Sequence, residues 1–223
     1  MGIPVSSQLQ KYSKLLDLML LHPALSLDET LKGCQSANIH HLASVFVKPC
    51  FVRDAVEVLN NDGIHIGTVI DYPHGAHSAH IKMSEAKRAL TEGASAFEMV
   101  VNTGFIRSGM EEFIRKEIQS VSGLVHMNGG VLKVILEAGY LTPNQIISIS
   151  RIAVNCKADG IVISTEHGPE INHLEYITIL SEFYNEGVQL KAMGGMTSID
   201  DVAALTQAGY ARVGIDDLSQ IFD

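Results

Sequence analysis

The sequence predicts an α/β protein built as a single (β/α)8 barrel, and three observations lead there. Short, nearly continuous apolar runs recur eight times along the 223 residues. Such runs read as strands buried on both faces, as in a parallel sheet. Amphipathic stretches with helix start and stop signals separate them. No G-x-G-x-x-G follows the first run, so the main signature of a doubly wound dinucleotide-binding sheet is missing. Eight strand–helix units fit the about 200 to 250 residues of a compact barrel.

The runs fall at 15–21, 43–47, 64–70, 96–101, 131–136, 160–163, 188–193 and 211–215. The spacing predicts a helix over 84–92, closed by Gly93. A second is expected over 108–122, with Ser108 as N-cap and Gly123 after its end. A third spans 142–157, with Thr142 as N-cap and Pro143 at the first helical position. A fourth covers 174–186 before Gly187. The fifth runs from Ser198 to Ala208 before Gly209, with Asp200 and Asp201 in the first turn, where the helix dipole favours acids. No linker, low-complexity segment or second domain interrupts the pattern, so one domain over 1–223 is expected.

Composition narrows the function. Sixteen basic against 25 acidic residues leave a formal charge of −9, which disfavours nucleic acid and anionic membranes as partners. No apolar run approaches the about 18 residues of a membrane span. Asp17 interrupts the first apolar stretch, unlike a signal peptide. A soluble, cytoplasmic protein is expected. Cys34, Cys50 and Cys156 are odd in number and widely spaced, so reduced, buried thiols are expected rather than a disulfide framework. His40-His41 and the pair His77/His80 lack thiol or carboxylate partners at zinc spacing. No metal and no cofactor is expected.

In a barrel of this kind the chemistry sits at the C-terminal ends of the strands. Asp17, Glu98, Lys133 and Lys191 stand out because each lies inside a run that otherwise reads as core. Charged residues are rarely buried unless paired. Two acids and two lysines balance, so a structural ion-pair cluster is one reading. Amine chemistry is the other: a desolvated lysine beside a second cation loses its proton and attacks a carbonyl, while a carboxylate relays protons. Gly194-Gly195 after the seventh run lets backbone N–H groups approach an anion, or is an ordinary turn. His74, in Tyr72-Pro73-His74-Gly75, lies at the barrel mouth or simply on the surface. Ser164 lacks the G-x-S-x-G elbow of a serine hydrolase.

At these residues the chain resembles deoxyribose-phosphate aldolase, a class I aldolase on a TIM barrel. The matching segments are Leu16-Asp17-Leu18-Met19-Leu20-Leu21, Ser44-Val45-Phe46-Val47-Lys48-Pro49, Tyr72-Pro73-His74-Gly75 and Gly93-Ala94-Ser95-Ala96-Phe97-Glu98-Met99-Val100-Val101-Asn102. They continue with Leu132-Lys133-Val134-Ile135-Leu136-Glu137, Ala158-Asp159-Gly160-Ile161-Val162-Ile163-Ser164-Thr165 and Leu190-Lys191-Ala192-Met193-Gly194-Gly195. The resemblance implies cleavage or formation of a 2-deoxy sugar phosphate, with acetaldehyde held as an imine. By position, Lys191 matches the second active-site lysine, and Lys133 and Asp17 match members of the proton relay. Glu98 stands where the family has an aspartate.

Three departures alter that expectation. Val162 stands where the family's imine-forming lysine belongs, so no imine forms there. Met19 replaces a threonine. The phosphate-binding end reads Gly214-Ile215-Asp216-Asp217 instead of serines after a glycine, and Glu166 replaces a loop glycine. Like charges about 4 Å apart at an effective dielectric of about 20 repel by about 4 kcal/mol, so carboxylates there disfavour a phosphate dianion.

The expected activity is therefore aldolase-type carbon–carbon lyase chemistry on a small aldehyde or sugar-like carbonyl compound. Lys191 would form the imine, Lys133 would act as its cationic neighbour, and Glu98 and Asp17 would shuttle protons. The expected ligand contacts are Ser164, Thr165, Glu166, His167, Gly194, Gly195, Gly214, Asp216 and Asp217. A catalytically inactive metabolite-binding or regulatory homologue is the alternative, as is an isomerase using Lys191 and Glu98. A homodimer is the expected assembly.

Overall fold

The computed structural model describes residues 11–59, 63–184 and 187–222. Eight parallel strands close into a barrel in simple sequence order. They are β1 (Leu16–Leu20), β2 (Ser44–Val47), β3 (His65–Ile70), β4 (Ala96–Val100), β5 (Val131–Ile135), β6 (Gly160–Val162), β7 (Gln189–Met193) and β8 (Arg212–Ile215). Each falls within an apolar run read from the sequence. Closure comes from β1 pairing with β8, which aligns Asp17 with Gly214.

The strands are apolar on both faces because both are covered. Outward residues such as Leu18, Val45, Phe97, Leu132 and Leu190 join the large core beneath the helices. Inward residues form a second cluster of Met19, Phe46, Val69, Ala96, Val100, Ile135, Val162 and Met193. Side chains thus fill the middle of the barrel, as such barrels require.

Helices follow the strands: α1 (Leu27–Ile39), α2 (Val52–Leu59), α3 (Ala79–Thr91), α4 (Thr103–Arg107), α5 (Glu111–Met127), α6 (Pro143–Asn155), α7 (His173–Tyr184), α8 (Ile199–Ala208) and α9 (Ser219–Phe222). The start of α6 agrees with the sequence: Thr142 and Gln145 form a reciprocal capping box. Ser198 likewise caps α8 through the N–H of Asp201. The capping box of Ser26 and Glu29 opens α1, a helix the apolar pattern did not mark.

Several expectations change. Helix α3 begins at Ala79, five residues before the expected start at 84. Ser108 is not an N-cap. It closes α4, its N–H bonding back to Gly104 and Phe105 carbonyls, and Gly109 at φ +69° then turns the chain before α5 begins. Gly123 does not follow the helix but lies inside α5, where a Cβ would meet nothing within 4 Å. A solvent-facing glycine there costs only about 1 kcal/mol relative to alanine, too little to stop a helix with a buried face. The last two residues expected in the helix over 174–186 lie outside the described residues. Cys34 and Cys156 are buried as expected, and burial pushes the Cys34 thiol up to about 12. Cys50 is exposed instead, because it sits in the short 3-10 turn Pro49–Phe51 at the rim. Among the described residues no helix is long and apolar enough to cross a membrane.

Candidate active site

Two groups of polar side chains emerge from the barrel, one inside it and one at its C-terminal mouth. The inner group rests on strand register. Glu98 on β4 aligns with Lys133 on β5, and Val162 on β6 aligns with Lys191 on β7. Alternation along each strand turns these side chains inward.

Lys191 is fully buried. Its Nζ lies 2.6 Å from Glu98 Oε1 and 3.0 Å from Asp17 Oδ2, and 4.3 Å from the centre of the Phe46 ring. Its stem passes Gly214, where a Cβ would lie 3.1 Å from Lys191 Cε and 3.2 Å from Met19 Cγ. Gly214 therefore makes room for Lys191 inside the barrel rather than standing at the mouth. Burial lowers the Lys191 pKa, and the Glu98 carboxylate opposes that. Asp17, also fully buried, accepts hydrogen bonds from Ser44 Oγ and from the Arg212 guanidinium.

Lys133 is brought near this group without joining it. Burial lowers its pKa, Glu98 raises it, and the charge of Lys191 lowers it further. Arg212 was missed in the sequence, although it is a charge within the last apolar run and the rule that singled out Lys191 applies to it equally. Burial pushes its guanidinium down to about 10.

The mouth is built from the loops after β6, β7 and β8. Ser164, Glu166, Gly194 and Gly195 line one cavity of about 550 Å³ together with Met193. Glu166 sits at φ +69° and packs on Gly194, where a Cβ would come within 2.8 Å of its Cγ. Gly194 itself has φ +95°, so only glycine suits both the backbone and the neighbour. The Glu166 residue reaches solvent, but its carboxyl loses hydration against this loop and faces Asp216, which pushes it up to about 8. Asp216 is raised as well, chiefly by partial burial, while its hydrogen bond with Glu166 holds it down. The two carboxyls behave as a pair sharing one proton.

The remaining predicted residues scatter around this pair. Ser164 Oγ donates to Glu137 Oε1 at 3.2 Å and accepts from the Glu166 N–H at 2.9 Å. The Thr165 N–H donates to Glu137 Oε2 at 3.1 Å. Both residues are buried, so they shape the loop from beneath. His167 is exposed and meets Tyr72 edge-on, with ring centres 5.4 Å apart. Gly195 is exposed at φ +78°. Asp217 is exposed and accepts from the N–H of Ser219, closing the turn into α9. Lys48, which ends β2, donates to the carbonyls of Leu25 and Pro23 and so ties down the first loop.

A second buried cluster, not foreseen, lies outside the barrel. Lys82 of α3 donates to Val100 O at 2.7 Å and to Glu117 Oε2 of α5 at 2.8 Å, with Asp71 Oδ2 at 3.5 Å. It pins two helices to the end of β4. Lys82 and Glu117 sit on amphipathic helices, where charge is ordinary, so the sequence carried no signal for it. Among the described residues no group of three or more His, Cys, Asp and Glu is placed to hold a metal ion.

No family model matches the chain. Curated relatives do. Deoxyribose-phosphate aldolase of Caldanaerobacter subterraneus subsp. tengcongensis is 34% identical over 207 residues, 92% of this chain and 90% of that one. The enzyme of the same name from Treponema denticola is 32% identical over 202 residues, 91% of this chain and 94% of that one. Among solved structures, a Coccidioides immitis protein provisionally named deoxyribose-phosphate aldolase superposes with a TM-score of 0.91 at 27% identity, covering 99% of this chain and 87% of that one. Deoxyribose phosphate aldolase from Aeropyrum pernix, described as a tetramer, has the same fold, with a TM-score of 0.89 at 21% identity over 96% of this chain and 90% of that one. With the barrel, its inward lysines and the shared length agreeing, this chain belongs to the deoxyribose-phosphate aldolase family.

Proposed function

We propose that the chain is an aldolase-type carbon–carbon lyase acting on a small, unphosphorylated hydroxy-carbonyl compound, with Lys191 as the amine. The observation that carries this reading is the 2.6 Å contact between Lys191 Nζ and Glu98 Oε1 in a fully buried site. Burial disfavours the Lys191 ammonium and so favours the neutral amine that attacks a carbonyl. The register supports the relocation, since Lys191 lies directly across from Val162 on the neighbouring strand. The amine then attacks the substrate carbonyl. Loss of water gives an imine, which draws electrons from the breaking carbon–carbon bond as a base takes the hydroxyl proton. Glu98 and Asp17 are the groups within reach for those proton transfers. Lys133 contributes positive charge nearby, which favours the neutral form of Lys191.

Substrate access would require Met19, whose Sδ lies 3.3 Å from Lys191 Nζ, and Met193, which lines the mouth cavity, to swing away, since Lys191 has no exposure. Methionine is flexible enough for such a movement. At the mouth, Glu166 and Asp216 favour hydroxyls or an amine on the ligand over a phosphate, for the like-charge reason given above.

The sealed position of Lys191 favours a second reading. With two carboxylates around it, the ammonium is also a well-matched structural ion pair. The chain would then bind a small metabolite at the mouth without forming a covalent bond. One experiment separates the two. The protein is incubated with acetaldehyde or glyceraldehyde, reduced with borohydride, and mapped by peptide mass. A reduced adduct on Lys191 is expected. No adduct with either aldehyde overturns the lyase reading, and thermal stabilisation by a polyol at the mouth then supports the binding one. A homodimer remains the assembly we propose, checked by light scattering.

A further inference from the structure

At the opposite end of the barrel six strands begin around a cavity of about 740 Å³. Ser44, His65, Ala96, Val131, Gln189 and Arg212, the first residues of β2, β3, β4, β5, β7 and β8, line it. Lys133 lines it too and is only 6% exposed. Its stem lies over Gly160, where a Cβ would come within 2.8 Å of Lys133 Cγ. Among the described residues the Lys133 ammonium has neither a hydrogen-bond nor an ion-pair partner. Nε of Arg212 is also buried there without a partner.

Each nearby carboxylate, including Asp159 in the cavity wall, already meets a cation or a donor, although Glu98 Oε2 is buried without a hydrogen-bond partner. Asp17 is held by Arg212 and Lys191, and Glu98 Oε1 by Lys191. Asp159 Oδ2 lies 2.8 Å from His126 Nε2 and accepts the Leu132 N–H at 2.7 Å. Among the described residues three cations inside the barrel, Lys133, Lys191 and Arg212, face two carboxylates, Asp17 and Glu98, which leaves one positive charge over. Two unpartnered donors and a single surplus charge match one monoanion with two acceptor oxygens. Phe46, Ala96 and Val131 add apolar wall, and the volume is that of a small-molecule site.

We propose that this cavity binds a small organic carboxylate through Lys133 and Arg212, at the strand-start end of the barrel and separate from the mouth. The carboxylate restores charge balance and favours the ammonium form of Lys133, which burial disfavours.

The test titrates the full chain with propionate, with its neutral isostere propionamide, and with sodium chloride at matched ionic strength. Melting temperature and the 13Cε shift of Lys133 in lysine-labelled protein are followed. Propionate is expected to raise the melting temperature and to move the Lys133 titration midpoint to higher pH; propionamide and chloride do neither. Lys133→Met is expected to lose the melting response, and Lys157→Met, exposed at the rim, to keep it. An equal response to propionate and propionamide, a response surviving in Lys133→Met, or an unmoved Lys133 midpoint overturns the proposal. Should Lys133→Met fail to fold, the titration of the unaltered protein decides alone. The borohydride result at Lys191 has no bearing on these readings.

Discussion

The inner group and the mouth use the same kinds of side chain to opposite ends. Inside the barrel, Glu98 and Asp17 meet Lys191 and Arg212 as ion pairs of opposite charge. At the mouth, Glu166 and Asp216 face each other as two acids, and partial burial and like charge hold a proton on the pair. Matched charges survive burial because attraction offsets lost hydration, whereas like charges survive only by protonation. The interior is thus sensitive to which side chains are present, and the mouth to pH.

The contrast is broken most severely at Glu98. Glu98→Gln leaves the buried Lys191 with Asp17 alone and should cost about 3–5 kcal/mol of stability, since one partner of a buried pair is removed. Urea unfolding measures it, and a loss below about 1 kcal/mol, the usual worth of an exposed pair, would show that the site is hydrated. Gly214→Ala comes next. Its Cβ would press on Lys191, Met19 and Met193. Overpacking of this kind costs about 1–3 kcal/mol, and reduced aldehyde labelling of Lys191 should accompany it.

At the mouth the effect lies in the pH profile. Glu166 in the folded protein is raised to about 8 from an ordinary value of 4.5. Between those values the folded state binds more protons than the unfolded state, so stability should fall as pH rises through that window. Glu166→Gln should flatten the slope, and melting curves from pH 4.5 to 8.5 check it; an unchanged slope rejects the shared proton. Asp217→Asn is the smallest change. Asp217 is exposed and its acceptor oxygen for Ser219 survives the substitution, so stability should stay within about 0.5 kcal/mol. A larger shift in melting would tie Asp217 to the Glu166 pair.

The barrel was legible because its strands are buried on both faces, leaving runs such as 131–136 and 211–215 almost free of polar residues. The charges breaking those runs identified Asp17, Glu98, Lys133 and Lys191. What stayed hidden was who pairs with whom. Register alone sets Lys191 against Val162, and closure alone brings Arg212 to Asp17. A single exposed glycine does not end a helix with a buried face, which is why α5 runs through Gly123. The Lys82–Glu117 contact joins residues 35 apart in sequence, and nothing local in α3 or α5 announces it.

One position in the barrel wall bears directly on where an amine can act. Val162 is buried in the inner cluster and its strand neighbour is Lys191, so one substitution, Val162→Lys, would set two amines side by side. The surrounding charge leaves little tolerance for another ammonium, and the newcomer would be driven toward its neutral, nucleophilic form. Borohydride trapping of that variant with acetaldehyde would then report on two adjacent amines instead of one.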